Sequence, residues 1–269
     1  MSTRRVLTGV AAVLAVALTF AVAAPAAAAA RKQTKPTIVL VHGAFADSSS
    51  WNAVIPLLQA QGYPVVAAPN ALRGVSSDAA EVAALLKTIS GPIVLVGHSY
   101  GGSVISNAAE GNPNVKALVY VSAFAPEVGE SAASLSGKFP GSTLGQALAP
   151  PVALAGGGRD LYIDRAKFRD QFAADVPEAL AAQMGAGQRP ITEAALNEAS
   201  PAAAWKNIPS WFVYGTADKN IPPQALAFMA QRAGAKESVA VDGASHVVMV
   251  SQPDRVAQVI QNAAATATQ

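Results

Sequence analysis

Short, continuously apolar runs alternate along the first half of the chain with segments whose apolar residues recur every three or four positions. "TIVLV" (37–41) is apolar throughout and β-branched, and 50–61 reads as a helix that starts after a serine cluster and stops at Gly62. "YPVVAA" (63–68) is the next predicted strand, followed by a helix over 78–89 with Ala79, Val82, Ala83, Leu86 and Ile89 on one face. "PIVLVG" (92–97) and "VKALVYVSA" (115–123) complete the early strands. Strands without polar alternation, separated by helices, predict an α/β architecture: a mainly parallel sheet of about six strands, covered on both faces.

The rhythm breaks between 126 and 205, where no strand is evident. Alanine-rich helical pieces at 163–174, 177–184 and 191–199 predict a small helical cap inserted over one edge of the sheet. Gly156, Gly157 and Gly158 within it read as a loop or as the hinge of a lid. The sheet pattern resumes with a strand at 210–215, a helix at 223–233, a strand at 237–242 and a closing helix at 252–265.

The first 30 residues stand apart from this pattern. Arg4 and Arg5, an apolar stretch from Val6 to Ala24 and A-X-A triplets such as Ala26 to Ala28 form a cleavable export signal, of the general or the twin-arginine kind. The expectation is a secreted or extracytoplasmic protein with no membrane partner once the signal is removed. The competing reading is an anchor helix, because the apolar stretch approaches the roughly 20 residues that span a bilayer. The remaining 31–269 suit one domain with a sizeable core.

Composition narrows the chemistry. The chain has 19 Lys and Arg against 17 Asp and Glu, and loss of Arg4 and Arg5 makes the two equal, so nothing points to a nucleic-acid partner. With no cysteine, disulfides, thiolate metal sites and cysteine nucleophiles are excluded. The candidate chemistry lies in "GPIVLVGHSYGGSV" (91–104), where a buried strand meets a Gly-X-Ser-X-Gly turn and a helix. This is a nucleophile elbow around Ser99, although the same serine would also suit a helix N-cap. A serine hydroxyl requires a base, and the chain has three histidines: His42, His98 and His246. His98 adjoins Ser99 and its side chain should point elsewhere; His42 sits in the "HGAF" loop. His246, just past the last strand, is the base candidate. Asp218 follows the strand 210–215 and is the residue to orient the imidazole, with Asp242 the nearer alternative in sequence and turn formation the structural alternative for Asp218. The amide of Tyr100 and that of Ala44 or Phe45 are the expected donors to an oxyanion.

"VLVHGAF", "LVGHSYGG", "YGTADKNIP" and "GASHVVMVSQP" resemble the α/β-hydrolase superfamily, in its order and over nearly all of the chain after residue 30. The cap length and these loops are similar to the small esterases grouped with plant methyl-ester hydrolases and hydroxynitrile lyases. The resemblance implies a serine hydrolase of small carboxylic esters or lactones, acting through Ser99, His246 and Asp218 with no metal or organic cofactor. The lyase branch typically has threonine where this chain has Gly43 and lysine where it has Val247. A lyase or other cofactor-free enzyme, and a noncatalytic binder, remain the rival classes. Phe124, Trp205 and Val247 are candidate pocket residues beside the motifs, and Phe168 and Phe172 could face inward from the cap.

Overall fold

The computed structural model describes residues 1–2 and 35–267, so the predicted export signal lies, from residue 3 onward, outside the described residues. Among the described residues no helix is long and apolar enough to cross a membrane. Nine strands and eleven α-helices follow in order among the described residues. Strand β1 (Thr37–Val41) leads to a 3-10 turn (Ser48–Trp51) and α1 (Val54–Ala60). The predicted helix at 50–61 is thus split: Asp47 accepts a hydrogen bond from the Ser49 amide at 2.8 Å and caps the short turn, and the chain restarts as α1. Strand β2 (Val65–Ala68), α2 (Val75–Lys87), β3 (Ile93–His98), α3 (Tyr100–Ala108) and β4 (Val115–Val121) follow.

The β4 chain then enters the cap, with α4 (Ala132–Ser136), α5 (Leu144–Ala147), β5 (Val152–Ala153), β6 (Arg159–Leu161), α6 (Arg165–Phe172), α7 (Glu178–Gly187), β7 (Ile191–Thr192) and α8 (Glu193–Asn197). The last elements are β8 (Ser210–Gly215), α9 (Pro223–Arg232), β9 (Glu237–Val241), α10 (Val248–Ser251) and α11 (Pro253–Thr266).

Six strands form one parallel sheet in the order β2-β1-β3-β4-β8-β9. The chain steps one way from β1 to β2 and the other way from β3 to β4. Right-handed crossovers therefore put α1 and α3 on opposite faces. α11 packs on α1 and α2 on α3. All six residues of β3 are buried, as its unbroken apolar run predicts for a central strand. Burying a side chain of Ile, Leu or Val there contributes about 1.5–3 kcal/mol. Since every strand runs the same way, all carboxyl ends meet at one edge, where loops of parallel α/β sheets form binding crevices.

The cap differs from the strandless expectation. β5, β6 and β7 make a small antiparallel sheet, with Asp160 opposite both Val152 and Thr192. Strands of two or three residues are too short to display alternation, and the β6–β7 pairing joins positions some thirty residues apart. Gly156–Gly158 are the turn of the β5–β6 hairpin. Gly157 and Gly158 have φ of 89° and 83°, and the Leu154 amide donates to the Gly158 carbonyl at 3.1 Å. That closes the glycine run as a hairpin tip instead of a hinge.

Candidate active site

Ser99 lies between the last residue of β3 and the first of α3, with φ 53° and ψ −123°. An L-residue reaches that backbone only where its surroundings hold it, and the neighbours are glycines for a steric reason. A Cβ at Gly97 would lie 2.6 Å from the Gly101 carbonyl oxygen; one at Gly101 would lie 2.6 Å from the Val41 carbonyl oxygen. At Gly102 it would come within 2.2 Å of the Phe124 carbonyl oxygen. The Ser99 amide donates to Val121 and its carbonyl accepts from Phe124, so both ends of the residue are tied to the chain leaving β4.

His246 and Asp218 converge on Ser99 from the neighbouring strand ends. Gly215 at the end of β8 lets that strand pass the β9 loop closely, since a Cβ there would meet the Ala244 carbonyl oxygen at 2.1 Å. The Ala217 amide then donates to Ala244 at 3.0 Å, which sets the two loops side by side. His246 Nδ1 lies 2.7 Å from Asp218 Oδ2, and His246 Nε2 lies 2.9 Å from Ser99 Oγ. Asp218 Oδ1 accepts from the amides of Asn220 and Ile221 at 2.8 and 3.0 Å. With Asp218 a carboxylate, Nδ1 donates to it, leaving the Nε2 lone pair for the serine hydroxyl. The nearer carboxylate in sequence, Asp242, is exposed and accepts instead from Thr216 Oγ1 at 3.2 Å.

The other two histidines act as struts. Burial holds the His42 imidazole below the usual histidine value. Its Nε2 accepts from the Asn70 amide at 3.1 Å while Nδ1 is 2.9 Å from the Gly43 carbonyl, which makes Nδ1 the protonated nitrogen. His98 is fully buried, and burial, reinforced by the neighbouring His246, holds it well below the histidine value. Its ring centroid is 4.8 Å from that of His246 and its Nε2 is 3.2 Å from the His246 carbonyl, so it braces His246 from behind.

A cavity of about 380 Å³ opens beside Ser99, with Ala44, Phe45, Tyr100, Phe124 and Ile221 in its wall and no charged side chain lining it. The amides of Ala44 and Tyr100 have no hydrogen-bond partner among the described residues, whereas the Phe45 amide donates to the Arg189 carbonyl at 3.0 Å. Of the two candidates in the "HGAF" loop, Ala44 therefore holds the open amide.

A family model described as "Alpha/beta hydrolase family" matches residues 38–259, most of the chain. The chain belongs to the α/β-hydrolase family. This α/β hydrolase is 27% identical over 251 residues to a pyrethroid hydrolase of Sphingobium wenxiniae, covering 84% of this chain and 87% of that protein. It is 25% identical over 246 residues to an alpha-hydroxynitrile lyase of Arabidopsis thaliana, covering 83% and 95% respectively. The crystal structure of polyneuridine aldehyde esterase superposes with a TM-score of 0.73 at 19% identity, over 85% of this chain and 98% of that one, and shares the fold.

Several pocket expectations for the hydrolase change in three dimensions. Phe124 lines the cavity, but Trp205 and Val247 do not. The Trp205 indole N–H donates to the Pro126 carbonyl at 2.8 Å, and the Arg232 guanidinium lies 5.3 Å from its ring. Trp205 thus pins the entry to the cap, and Val247 is completely buried behind His246. Phe168 and Phe172 do face inward. Phe172 packs 5.1 Å from the His246 ring and 6.2 Å from that of Phe45, so it supports His246 and the "HGAF" loop without lining the cavity. Leu144, Leu148, Leu196 and Asn220 also stand in the wall and were missed by sequence reasoning, because the folding of the cap alone brings three of them to Ser99. Asn220 had a signal, its place two residues after Asp218.

Proposed function

We propose that this α/β hydrolase is an exported serine esterase of small, uncharged carboxylic esters, lactones included. The observation that carries the reading is the chain from Asp218 through His246 to Ser99, with links of 2.7 and 2.9 Å, ending at a cavity without charged lining. Ser99 Oγ attacks the carbonyl carbon as His246 Nε2 takes its proton, and Asp218 stabilises the resulting imidazolium. The amides of Tyr100 and Ala44 receive the oxyanion. Collapse breaks the ester C–O bond, His246 returns the proton to the departing alkoxide, and an acyl group remains on Ser99. Water, deprotonated by His246, then attacks that ester, releasing the carboxylic acid and restoring the serine hydroxyl. This sequence calls on no metal or organic cofactor, and the hydrolases among the relatives support it.

The lyase among the relatives is the competing reaction. A side chain at position 43 has no room, since a Cβ there would lie 2.6 Å from the Ser99 Cβ, and the residue after His246 is an apolar, buried valine. Both points favour hydrolysis. The test pairs a fluorophosphonate probe with turnover of p-nitrophenyl esters, a small lactone and mandelonitrile. Wild type should label and hydrolyse esters, and Ser99→Ala should lose labelling and at least about a thousandfold in kcat. Cleavage of mandelonitrile with no ester turnover would sink the esterase reading.

A further inference from the structure

Asp78 is 1% exposed, in the first turn of α2, and none of the chemistry above uses it. Its carboxylate accepts from three groups, of which the Ser77 hydroxyl, at 3.4 Å from Oδ1, is the longest and most local contact. Tyr100 donates its phenol hydroxyl to Asp78 Oδ2 at 2.9 Å, and the Arg73 backbone amide donates to both carboxylate oxygens at 3.1 and 3.2 Å. Burial first, and Asp78 second, raise the phenol far above its ordinary value, so it remains a donor.

Tyr100 is the residue whose amide follows Ser99, and Arg73 leads to the cap. The Arg73 guanidinium reaches Asp160 of β6 at 2.6 Å and the Pro190 carbonyl at 2.8 Å. Thr192 of β7 returns the contact: its amide donates to the Leu72 carbonyl at 3.1 Å and its hydroxyl to the Arg73 carbonyl at 2.9 Å. One residue before Pro190, the Arg189 carbonyl takes the Phe45 amide on the opposite lip of the same site. The cap segment 189–192 therefore grips both loops that carry the open amides, one directly and the other through Arg73, Asp78 and Tyr100.

We propose that Asp78 is a positioning residue for the oxyanion site, holding the amide of Tyr100 in register with that of Ala44 through a hydrogen-bonded chain anchored in the cap segment 189–192. The proposal rests on the serine-esterase reading of the same site. A peptide amide displaced by a fraction of an ångström from a developing oxyanion loses much of its stabilisation of the transition state and little of its contribution to substrate binding. Disturbing the chain should thus lower kcat and leave KM in place.

The variants are Tyr100→Phe, which keeps the ring and removes the hydroxyl, Asp78→Asn, and Arg73→Met at the half-exposed end of the chain. Each is assayed for kcat and KM on p-nitrophenyl acetate, for inhibition by phenylboronic acid, and for melting temperature. The boronic acid adds to the serine and places a boron-bound oxygen where the oxyanion forms. Tyr100→Phe should lower kcat roughly 5- to 30-fold with KM within about twofold, and weaken boronic acid inhibition in proportion. Arg73→Met should act in the same direction and more weakly. The effects of Tyr100→Phe and Asp78→Asn should be far from additive in the double variant.

If Tyr100→Phe and Arg73→Met melt earlier yet keep kcat and boronic acid affinity, the chain only holds the fold together and the positioning proposal fails while the esterase reading stands. A wild-type protein that neither takes the fluorophosphonate label nor turns over esters removes both. Should Asp78→Asn not fold, Tyr100→Phe and Arg73→Met decide the matter alone.

Discussion

Ser99 holds a backbone conformation that its own side chain disfavours, and close contacts around it keep it there. The glycines at 97, 101 and 102 each stand where a Cβ would run into backbone, and backbone cannot rotate away as a side chain can. Gly102→Ala, whose methyl would lie 2.2 Å from the Phe124 carbonyl oxygen and 2.8 Å from the Ala123 Cβ, should cost about 3 kcal/mol or more. In a domain of this size that lowers the melting temperature by roughly 10 °C, which differential scanning calorimetry reads directly. The contacts that demand these glycines were not visible in the sequence. The motif spacing was, because a strand that turns straight into a helix leaves room only for small residues whatever surrounds it.

Among the elements, α4, one of the short helices facing the cavity, relies on local capping. α4 has five residues, too few to be stable alone, and a reciprocal capping box starts it: the Ser134 amide donates to Ser131 Oγ at 3.0 Å and the Ser131 amide to Ser134 Oγ at 2.9 Å. Since Ala132, Ala133 and Ser136 of α4 stand in the cavity wall, Ser131→Ala should cost about 1 kcal/mol and raise KM more than it changes kcat. Urea unfolding together with steady-state kinetics separates the two effects. Trp205→Phe offers the contrast. Loss of its hydrogen bond to Pro126 should cost about 1–2 kcal/mol and leave KM unchanged, because Trp205 is buried away from the cavity; a matching rise in KM would put it back in the wall. The core elements were legible because each long strand carries its own pattern. The cap strands were not, since β5 and β7 have two residues each and exist only by pairing with β6.

For the whole molecule, the two strut histidines tie stability to pH. His42 and His98 both have folded-state values below the ordinary 6.5, so as pH falls through 6.5 the unfolded chain takes up protons that the folded chain refuses. Their contribution is complete above that pH and is lost below it, by at most about 1.4 kcal/mol per pH unit for each histidine. The urea midpoint should hold from pH 8 to about 6.5 and decline towards pH 5, above the range where most carboxylates protonate. His98→Gln should flatten part of that slope, and an unchanged slope would show that His98 has no share in it. The parallel sheet and the one edge where Ser99, Asp218, His246 and the "HGAF" loop gather are written in the order of residues, because apolar runs and chain order are local properties and parallel strands must end together. Which loop amide stays open, which cap residues form the cavity wall, and the reach of Asp78 to the residue after Ser99 follow from the folded chain alone. Those outcomes depend on contacts such as Arg189 with Phe45 and Asp160 with Arg73, which join positions far apart in the chain and leave no periodic trace.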